Sequence, residues 1–437
     1  MNNHRLLKGL LAAILSGVAV CSEAQKIFTL EEIFSIAEEN SIQLKPSFTN
    51  QDIAEQEVRI ARSKRLPDIN ANLQLSFLGD GFITKRNFTG YEKAPIPHLG
   101  TGLGLNVEQP IYTGGAITGG IEMAELKTLA SRFSTDLKRD NIRFELAGYY
   151  LEIYKYKNLR KVVENNLTAA RKVLSEMEAR FQQGTALQND ITRYELLISN
   201  LELQLIRIDN TLAIFNNNLV TITGLPEGTV IEPDTTILLR SLPKDSESHW
   251  QETAMENSPG LQLAKNQVEF SRTGEKLAKS EMLPKIGLQA GWTIDGPILV
   301  EVPPINRNLS YWWVGLGVSY NISSLYKDNK SVKKSKIDTH HAIEELEAAK
   351  ENVNMAVRAD YIKYLEAYEE LKTQEKSVEL AERNYKITST RYSADVALIT
   401  DMLDAANSLL DAQQQLVNSR INIIYSYYKL LFTTGTI

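Results

Sequence analysis

The chain has 437 residues, of which 43% are hydrophobic and 23% charged, a balance that excludes a disordered chain and a polytopic helical membrane protein. Its 48 basic and 54 acidic residues give a net charge of −6, so no basic surplus suggests nucleic acid as a partner. One Cys and five His exclude a disulfide scaffold and disfavour a Cys/His metal site. We therefore expect a large folded protein, and the composition points to neither a metal nor a cofactor.

Residues 1–24 have the pattern of a secretory signal peptide. Basic residues are followed by an apolar run over residues 9–20 and by Ser22-Glu23-Ala24, which matches a cleavage site. The pattern predicts cleavage after Ala24. Lipidation of Cys21 is the alternative, but Val20 stands where a lipidation site prefers a small residue. No later run approaches the roughly 20 apolar residues that a membrane-spanning helix needs.

The chain is predicted to be a tandem duplication. The same spacing separates Asn40 from Leu66 and Asn257 from Leu283, and each Leu begins a Leu-Pro pair. Further matched positions follow in the same order downstream, as expected for two copies of one unit. We place the first copy at residues 25–224, a linker at 225–259 and the second copy at 260–437.

Each copy contains two segments in which apolar and polar residues alternate. The predicted strands lie at about 67–79, 99–110, 284–295 and 311–322. Segments of about 10 residues with period two are typical of strands that span an outer membrane. Five aromatic residues would suit a girdle at the membrane surface: Trp292, Trp312, Trp313, Tyr311 and Tyr320. The alternative is two amphipathic hairpins on a soluble core, and the predicted export favours the membrane.

Four strands cannot close a barrel by themselves, because the smallest known barrels have about 8. An open edge in lipid would leave backbone groups without hydrogen bonds. The strands must therefore be completed by other subunits, and three copies of four strands would give 12.

Long helices follow each strand pair. No Pro lies between Pro110 and Gly184, which predicts a helix of about 100 Å. Apolar residues then recur at spacings of three and four over residues 191–222, a strong coiled-coil pattern. The equivalent seam over 402–430 keeps the register with smaller residues.

No sequence motif indicates catalysis. We find no zinc-protease motif, no nucleophile elbow and no P-loop, so we expect a protein that is not an enzyme. His340 and His341 are adjacent and do not share a helix face, which argues against a metal site. A periplasmic adaptor and a structural coiled-coil protein without channel activity are the alternative functions. Duplicated strand pairs argue against the first, and lipid-facing Trp and Leu residues argue against the second.

Motifs at the strand starts, at one strand end and at the helix turns carry a family resemblance. They are Leu66-Pro67-Asp68-Ile69, Leu283-Pro284-Lys285-Ile286, Gln109-Pro110-Ile111-Tyr112-Thr113-Gly114-Gly115, Arg180-Phe181-Gln182-Gln183-Gly184 and Arg391-Tyr392-Ser393-Ala394-Asp395. In this order the chain resembles the TolC-like outer-membrane efflux protein family, over essentially its whole mature length.

The resemblance implies a homotrimer whose 12-stranded β-barrel lies in outer-membrane lipid and continues as an α-helical barrel across the periplasm. It also implies a passive exit duct for small molecules or polypeptides, in a tripartite efflux or type I secretion system. The partners would be a periplasmic adaptor (membrane fusion) protein and an inner-membrane transporter of the RND, ABC or MFS type. The linker would form an equatorial belt around the helical barrel.

The resemblance further implies that the turns near Gly184 and Asp395 form a periplasmic tip, where the duct narrows. Asp401 and Asp404 would face the pore there, with Asp190 as the counterpart of Asp401 in the first copy. Each of the three also opens a returning helix, so capping alone would explain them.

Three tip residues carry separate expectations. Tyr392 is a candidate gate residue, although it and Phe181 are expected to pack in the seam. Asp395 replaces the usual Gly, which predicts a strained or differently shaped turn. Ala397 stands where some members have a basic residue that ties the closed tip together, so that contact would be missing.

Overall fold

The computed structural model describes residues 27–236 and 242–437. The predicted signal peptide, residues 1–24 with Cys21, lies outside the described residues. The first copy contains two helices, a strand pair with a small outer hairpin, one very long helix and a returning helix. In chain order the elements are β1 (Ile27–Phe28), α1 (Leu30–Asn40), α2 (Lys45–Ser63), β2 (Asp68–Phe77), β3 (Gly81–Ile83), β4 (Glu92–Ala94), β5 (Leu99–Tyr112), α3 (Ala116–Gln182) and α4 (Gln188–Thr223).

The rest of the chain, from the predicted linker onward, repeats the order of helix pair, strand pair, long helix and returning helix, with the first helix of the pair inside that linker. Its elements are β6 (Glu232–Pro233), α5 (Glu247–Asn257), α6 (Pro259–Ser280), β7 (Lys285–Gly296), β8 (Leu309–Ser319), α7 (Ser324–Lys327), α8 (Asn329–Ser393) and α9 (Ile399–Thr434). The repeated order confirms the duplication. The last long strand begins and ends earlier than the 311–322 range drawn from the sequence.

The chain divides into two compact units. The sheet unit consists of Lys45–Lys138 and Met255–Asn354 and contains all four long strands. The helical unit consists of the described residues up to Leu44 and those of Arg139–Ala254 and Met355–Ile437. It contains both helix turns.

The four long strands form one antiparallel sheet in the order β2-β5-β7-β8. The register places Leu105 opposite Ala71 and Trp292, and Trp292 opposite Trp312. Because side chains alternate between faces, this register aligns the apolar residues of all four strands on one face. The central pair, β5 and β7, joins the two copies. Strands β2 and β8 are the edges of the sheet.

The helical unit has two hydrophobic cores. One surrounds α1 and the short parallel pair of β1 and β6, where the buried Tyr150 hydroxyl donates to Phe28 O at 2.8 Å and accepts from Asp234 N–H at 2.7 Å. The other lies along the coiled-coil seam and includes Tyr194 and Met402. Burying such side chains contributes about 1.5–3 kcal/mol each.

The long helices agree with the prediction. Helix α3 has 67 residues and α8 has 65, while the returning helices α4 and α9 have 36 each. The second seam is built from smaller buried residues, among them Ala405, Ala412 and Ser419. Among the described residues, no helix combines the length and the apolar character needed to cross a membrane.

Candidate functional site at the helix turns

The first helix turn is closed by a glycine with left-handed backbone geometry. Gly184 has a φ of 76°, and its N–H donates to Phe181 O at 2.9 Å. Thr185 N–H donates to Arg180 O at 3.0 Å. This pair of hydrogen bonds is the Schellman motif, which satisfies carbonyl groups at a helix end and needs one left-handed residue. The local sequence therefore dictates where α3 stops.

The second turn has the same hydrogen bonds with a non-glycine residue at the same place. Asp395 has a φ of 58°, and its N–H donates to Tyr392 O at 3.0 Å. Val396 N–H donates to Arg391 O at 2.8 Å. The presence of Asp in place of the usual Gly therefore does not change the shape of the turn. The strain lies in the backbone of Asp395, and it amounts to about 1 kcal/mol because Asp tolerates this region better than most residues.

Arg180 connects the two turns within the chain. Its guanidinium forms an ion pair with the Asp395 carboxylate, and its Cζ lies 5.6 Å from the centroid of the Tyr392 ring. Ala397 carries no charge, so the basic group beside the second turn comes from the first copy instead. This role of Arg180 was not predicted from the sequence. Its only local signal is the shared pair of Arg and aromatic residue, Arg180-Phe181 and Arg391-Tyr392.

Tyr392 lies at the centre of this group. Partial burial is the main cause that raises the pKa of its hydroxyl above the usual value of 10.0, and the charge of Asp190 raises it further. Arg180 acts in the opposite direction. The structure thus brings four residues of the helix turns into one electrostatic environment: Arg180, Asp190, Tyr392 and Asp395. Phe181, which we expected to pack in the seam, is instead 42% exposed, because it lies in the last turn of α3 beyond the packed positions.

The aspartates after the turns lie on the first turns of the returning helices. The Asp401 carboxylate accepts a hydrogen bond from Leu398 N–H at 3.1 Å, so it caps α9. Asp404 is exposed one turn later, and Asp190 is half-buried in the first turn of α4. Capping therefore explains part of the role of Asp401. It leaves the exposed side of both α9 carboxylates available to solvent.

The turns also expose apolar side chains that the sequence analysis did not single out. Leu187, Val396 and Leu398 are exposed, although the neighbouring Ile399 is buried. The sequence could have indicated them, because these apolar residues lie outside the three-four spacing of the seam. Exposed apolar residues grouped at the end of a hairpin are typical of a protein interaction surface.

The register of the sheet separates the five aromatic residues of the expected girdle. Trp292 and Trp312 share the apolar face, and Trp292 Nε1 donates to Ser310 Oγ at 3.1 Å. Tyr311 and Trp313 are the immediate neighbours of Trp312 in β8. They lie on the opposite face, because successive side chains of a strand point to opposite faces. Tyr320 follows the end of β8.

The opposite face carries the polar and small residues. A Cβ added to Gly291 would come within 2.5 Å of the Trp313 indole nitrogen, so this Trp packs over a glycine of the adjacent strand. Strand parity thus assigns Trp292 and Trp312 to the expected membrane face and Tyr311 and Trp313 to the other.

The adjacent histidines each contact a carboxylate one helical turn later. His340 Nδ1 lies 3.2 Å from Glu344, and His341 Nδ1 lies 3.7 Å from Glu345. Within residues 27–236 and 242–437, no group of three His, Cys, Asp or Glu side chains has the geometry to hold a metal ion.

Comparison with known proteins places these features in a family. The family model of outer membrane efflux proteins matches residues 33–225 and 250–436, one segment in each copy. The outer membrane protein TolC of Vibrio cholerae is 24% identical, with 99% of this chain and 96% of that protein covered. The outer membrane efflux protein BepC of Brucella suis is 22% identical, with 97% and 89% covered.

Solved structures share the fold. The outer membrane protein VceC from Vibrio cholerae has a TM-score of 0.77 at 16% identity, with 93% of this chain and 96% of that chain covered. The mostly helical fold with four long strands and an internal duplication is therefore the fold of TolC-like channels, as the sequence predicted. The family model matches most of the chain in two successive segments, and the chain belongs to the outer membrane efflux protein family.

Proposed function

We propose that the chain forms a homotrimer that acts as the passive exit duct of a tripartite efflux or type I secretion system. The observation that carries this proposal is the open four-stranded sheet with its continuous apolar face. Its edge strands β2 and β8 have no further strand beside them among the described residues. Edges in lipid would leave backbone groups unpaired, so β8 of one copy pairs with β2 of the next, and three copies close a 12-stranded barrel.

We keep the domain assignment drawn from the sequence as part of this proposal. Residues 1–24 are the signal peptide, 25–224 and 260–437 are the two repeats, and 225–259 form the equatorial linker. Trp292 and Trp312 lie at the lipid surface of the barrel. The helical hairpins continue as a tube through the periplasm, where they meet a periplasmic adaptor and, through it, an inner-membrane transporter of the RND, ABC or MFS type.

The helix turns form the periplasmic end of the duct in this proposal. A threefold ring of Asp401 and Asp404, with Asp190 nearby, would attract cations and narrow the lumen. Gly184 and Asp395 shape the turns, and Tyr392 packs between them. The exposed Leu187 and Leu398 then contact the adaptor.

The energy for export comes from the inner-membrane transporter, so the chain needs no catalytic residues. Membership in a family of efflux proteins supports a transport role and argues against an enzyme. It also argues against the periplasmic adaptor and the structural coiled-coil protein, since TolC of Vibrio cholerae and BepC of Brucella suis are outer membrane proteins.

The test combines two measurements on the mature protein purified in mild detergent. We expect the mass of a trimer, and a low, cation-preferring conductance in a planar lipid bilayer. A water-soluble monomer without conductance would refute the proposal and return the strand pairs to a soluble core.

A further inference from the structure

Both edges of the sheet are flanked by surplus positive charge at the same end of the strands. The pairs Asp68–Glu108 and Lys285–Ser319 show that β2 begins and β8 ends at this end. Residues 59–65, directly before β2, contain four basic residues and no acidic one. Residues 327–336, shortly after β8, contain five lysines and one Asp. Each edge segment therefore has a net charge of +4. We call these two segments the edge clusters.

The interior strands are not flanked in this way. After β5, Glu122 accepts from Lys276 at 2.8 Å, and before β7 the side chains of Lys285 and Glu281 form an ion pair at 3.0 Å. Positive and negative charges are thus matched at the middle of the sheet. The surplus is a property of the two edges.

Within the part of the chain that the structure describes, two side chains of the edge clusters form ion pairs, and, besides the hydrogen-bonded Lys279, Lys336 lies close enough to Glu275 to lower the pKa of that carboxyl. Lys334 pairs with Asp338 at 2.7 Å, and Arg62 pairs with Glu125 at 2.7 Å. The side chains of Lys330, Lys333 and Lys336 are exposed on the first turns of α8. Asp328 is the one carboxylate within the second cluster, and it is half-buried.

Exposed apolar residues accompany the lysines. Ile322, Leu325 and Tyr326 lie between the end of β8 and the lysines, and all three are exposed. Leu66, between the other edge cluster and β2, is exposed as well. Lysines beside exposed aliphatic and aromatic side chains at the end of membrane strands are the combination that binds a lipid surface, since the charge meets the headgroup and the apolar group meets the acyl chains.

We propose that the edge clusters bind the anionic headgroups of phospholipids. The inference rests on the proposed trimer, in which β8 of one copy meets β2 of the next and brings two segments of +4 together. Such like charges repel each other unless an anion lies between them. An anionic phospholipid supplies the phosphate for the lysines and covers Leu325 and Tyr326 with its acyl chains, which a free phosphate cannot do. The lipid then stabilises the junction between subunits.

The experiment is a lipid titration of the full mature protein in mild detergent, followed by native mass spectrometry. The probes are phosphatidylglycerol, zwitterionic phosphatidylethanolamine and glycerol phosphate, which carries an anionic phosphate without acyl chains. The test variant combines Lys330→Gln, Lys333→Gln and Lys336→Gln. The matched control removes three exposed lysines farther along the same helix, with Lys363→Gln, Lys372→Gln and Lys386→Gln.

We expect the unmodified protein and the control to bind phosphatidylglycerol at least about fivefold more tightly than phosphatidylethanolamine. In the test variant this preference should fall to about twofold or less. Leu325→Ser with Tyr326→Ser should weaken the binding of both lipids and leave their ratio unchanged. The proposal is overturned if the test variant keeps the full preference, if the unmodified protein has none, or if glycerol phosphate competes as well as the lipid.

Conductance separates this proposal from the proposed function. A trimer that conducts normally but has no lipid preference refutes the lipid site alone. A monomer that does not conduct refutes the duct, and with it the junction between subunits at which the lipid is placed.

Discussion

The backbone of Asp395 offers a direct test of how the second turn is built. Asp395→Gly and Asp395→Ala both remove the ion pair with Arg180, so this pair cancels from the difference between the two variants, which reports the backbone at a φ of 58°. The left-handed region costs an Ala about 1–2 kcal/mol. The greater freedom of Gly in the open state costs about 0.4–1 kcal/mol and partly offsets this difference. The Gly variant should therefore be more stable by about 1 kcal/mol.

The first turn supplies a matched control. Gly184 has a φ of 76°, and a Cβ added there would meet no heavy atom within 4 Å. Gly184→Ala therefore introduces the backbone strain without a steric clash or the loss of an ion pair. We expect it to destabilise its turn by about the same 1 kcal/mol.

Amide hydrogen exchange over residues 390–400 and 180–188 measures the local opening of each turn. A difference of about 1 kcal/mol corresponds to about fivefold faster exchange in Asp395→Ala than in Asp395→Gly. Exchange in Asp395→Gly should differ little from exchange in the unmodified chain. The variant relieves the backbone strain but also loses the exposed ion pair, which contributes about 0–1 kcal/mol, and the two effects nearly cancel. Exchange in the Gly variant as fast as in the Ala variant would refute the reasoning.

Three further predictions concern charge, burial and pH. Asp401→Asn with Asp404→Asn should lower cation selectivity in a planar bilayer; unchanged selectivity in the double variant would reject the pore-facing assignment. Tyr150→Phe removes two hydrogen bonds in a buried core and should cost about 1–2 kcal/mol in denaturant unfolding; a loss below about 0.5 kcal/mol contradicts their role. The pKa of Tyr392 is raised in the folded chain, so the neutral hydroxyl stabilises the fold fully below pH 10.0 and this contribution is lost as pH rises through the folded pKa. The melting temperatures of the unmodified chain and of Tyr392→Phe should therefore converge as pH rises through that range. Melting temperatures that keep a constant difference across that range would refute this.

Several features follow from local patterns and were predictable. A period of two over about ten residues can only be buried on one face as a strand, and a three-four spacing over many turns only as a helix. The duplication was visible in matched spacings, and the end of α3 in Gly184. Most of these patterns involve residues close together in the sequence, so they can be recognised from a single sequence without further information.

The sites depend on residues far apart in the chain. Arg180 and Asp395 are brought together by packing between the two copies, and no spacing rule links them. The left-handed geometry of Asp395 was suggested only by comparison with Gly. The group of exposed apolar residues at the turns could not be recognised from the sequence, because exposure is decided by which neighbours cover a side chain.

The sequence by itself determined the elements, their order and the alternation within each strand, because these depend on local propensity and periodicity. Only the tertiary structure decided the strand order β2-β5-β7-β8, which joins the copies through β5 and β7 and leaves β2 and β8 as edges. It also decided that Trp312 lies directly opposite Trp292, which places both indoles in the same apolar row. Register and pairing are contacts between distant segments, and their free energy depends on the whole sheet rather than on any one strand.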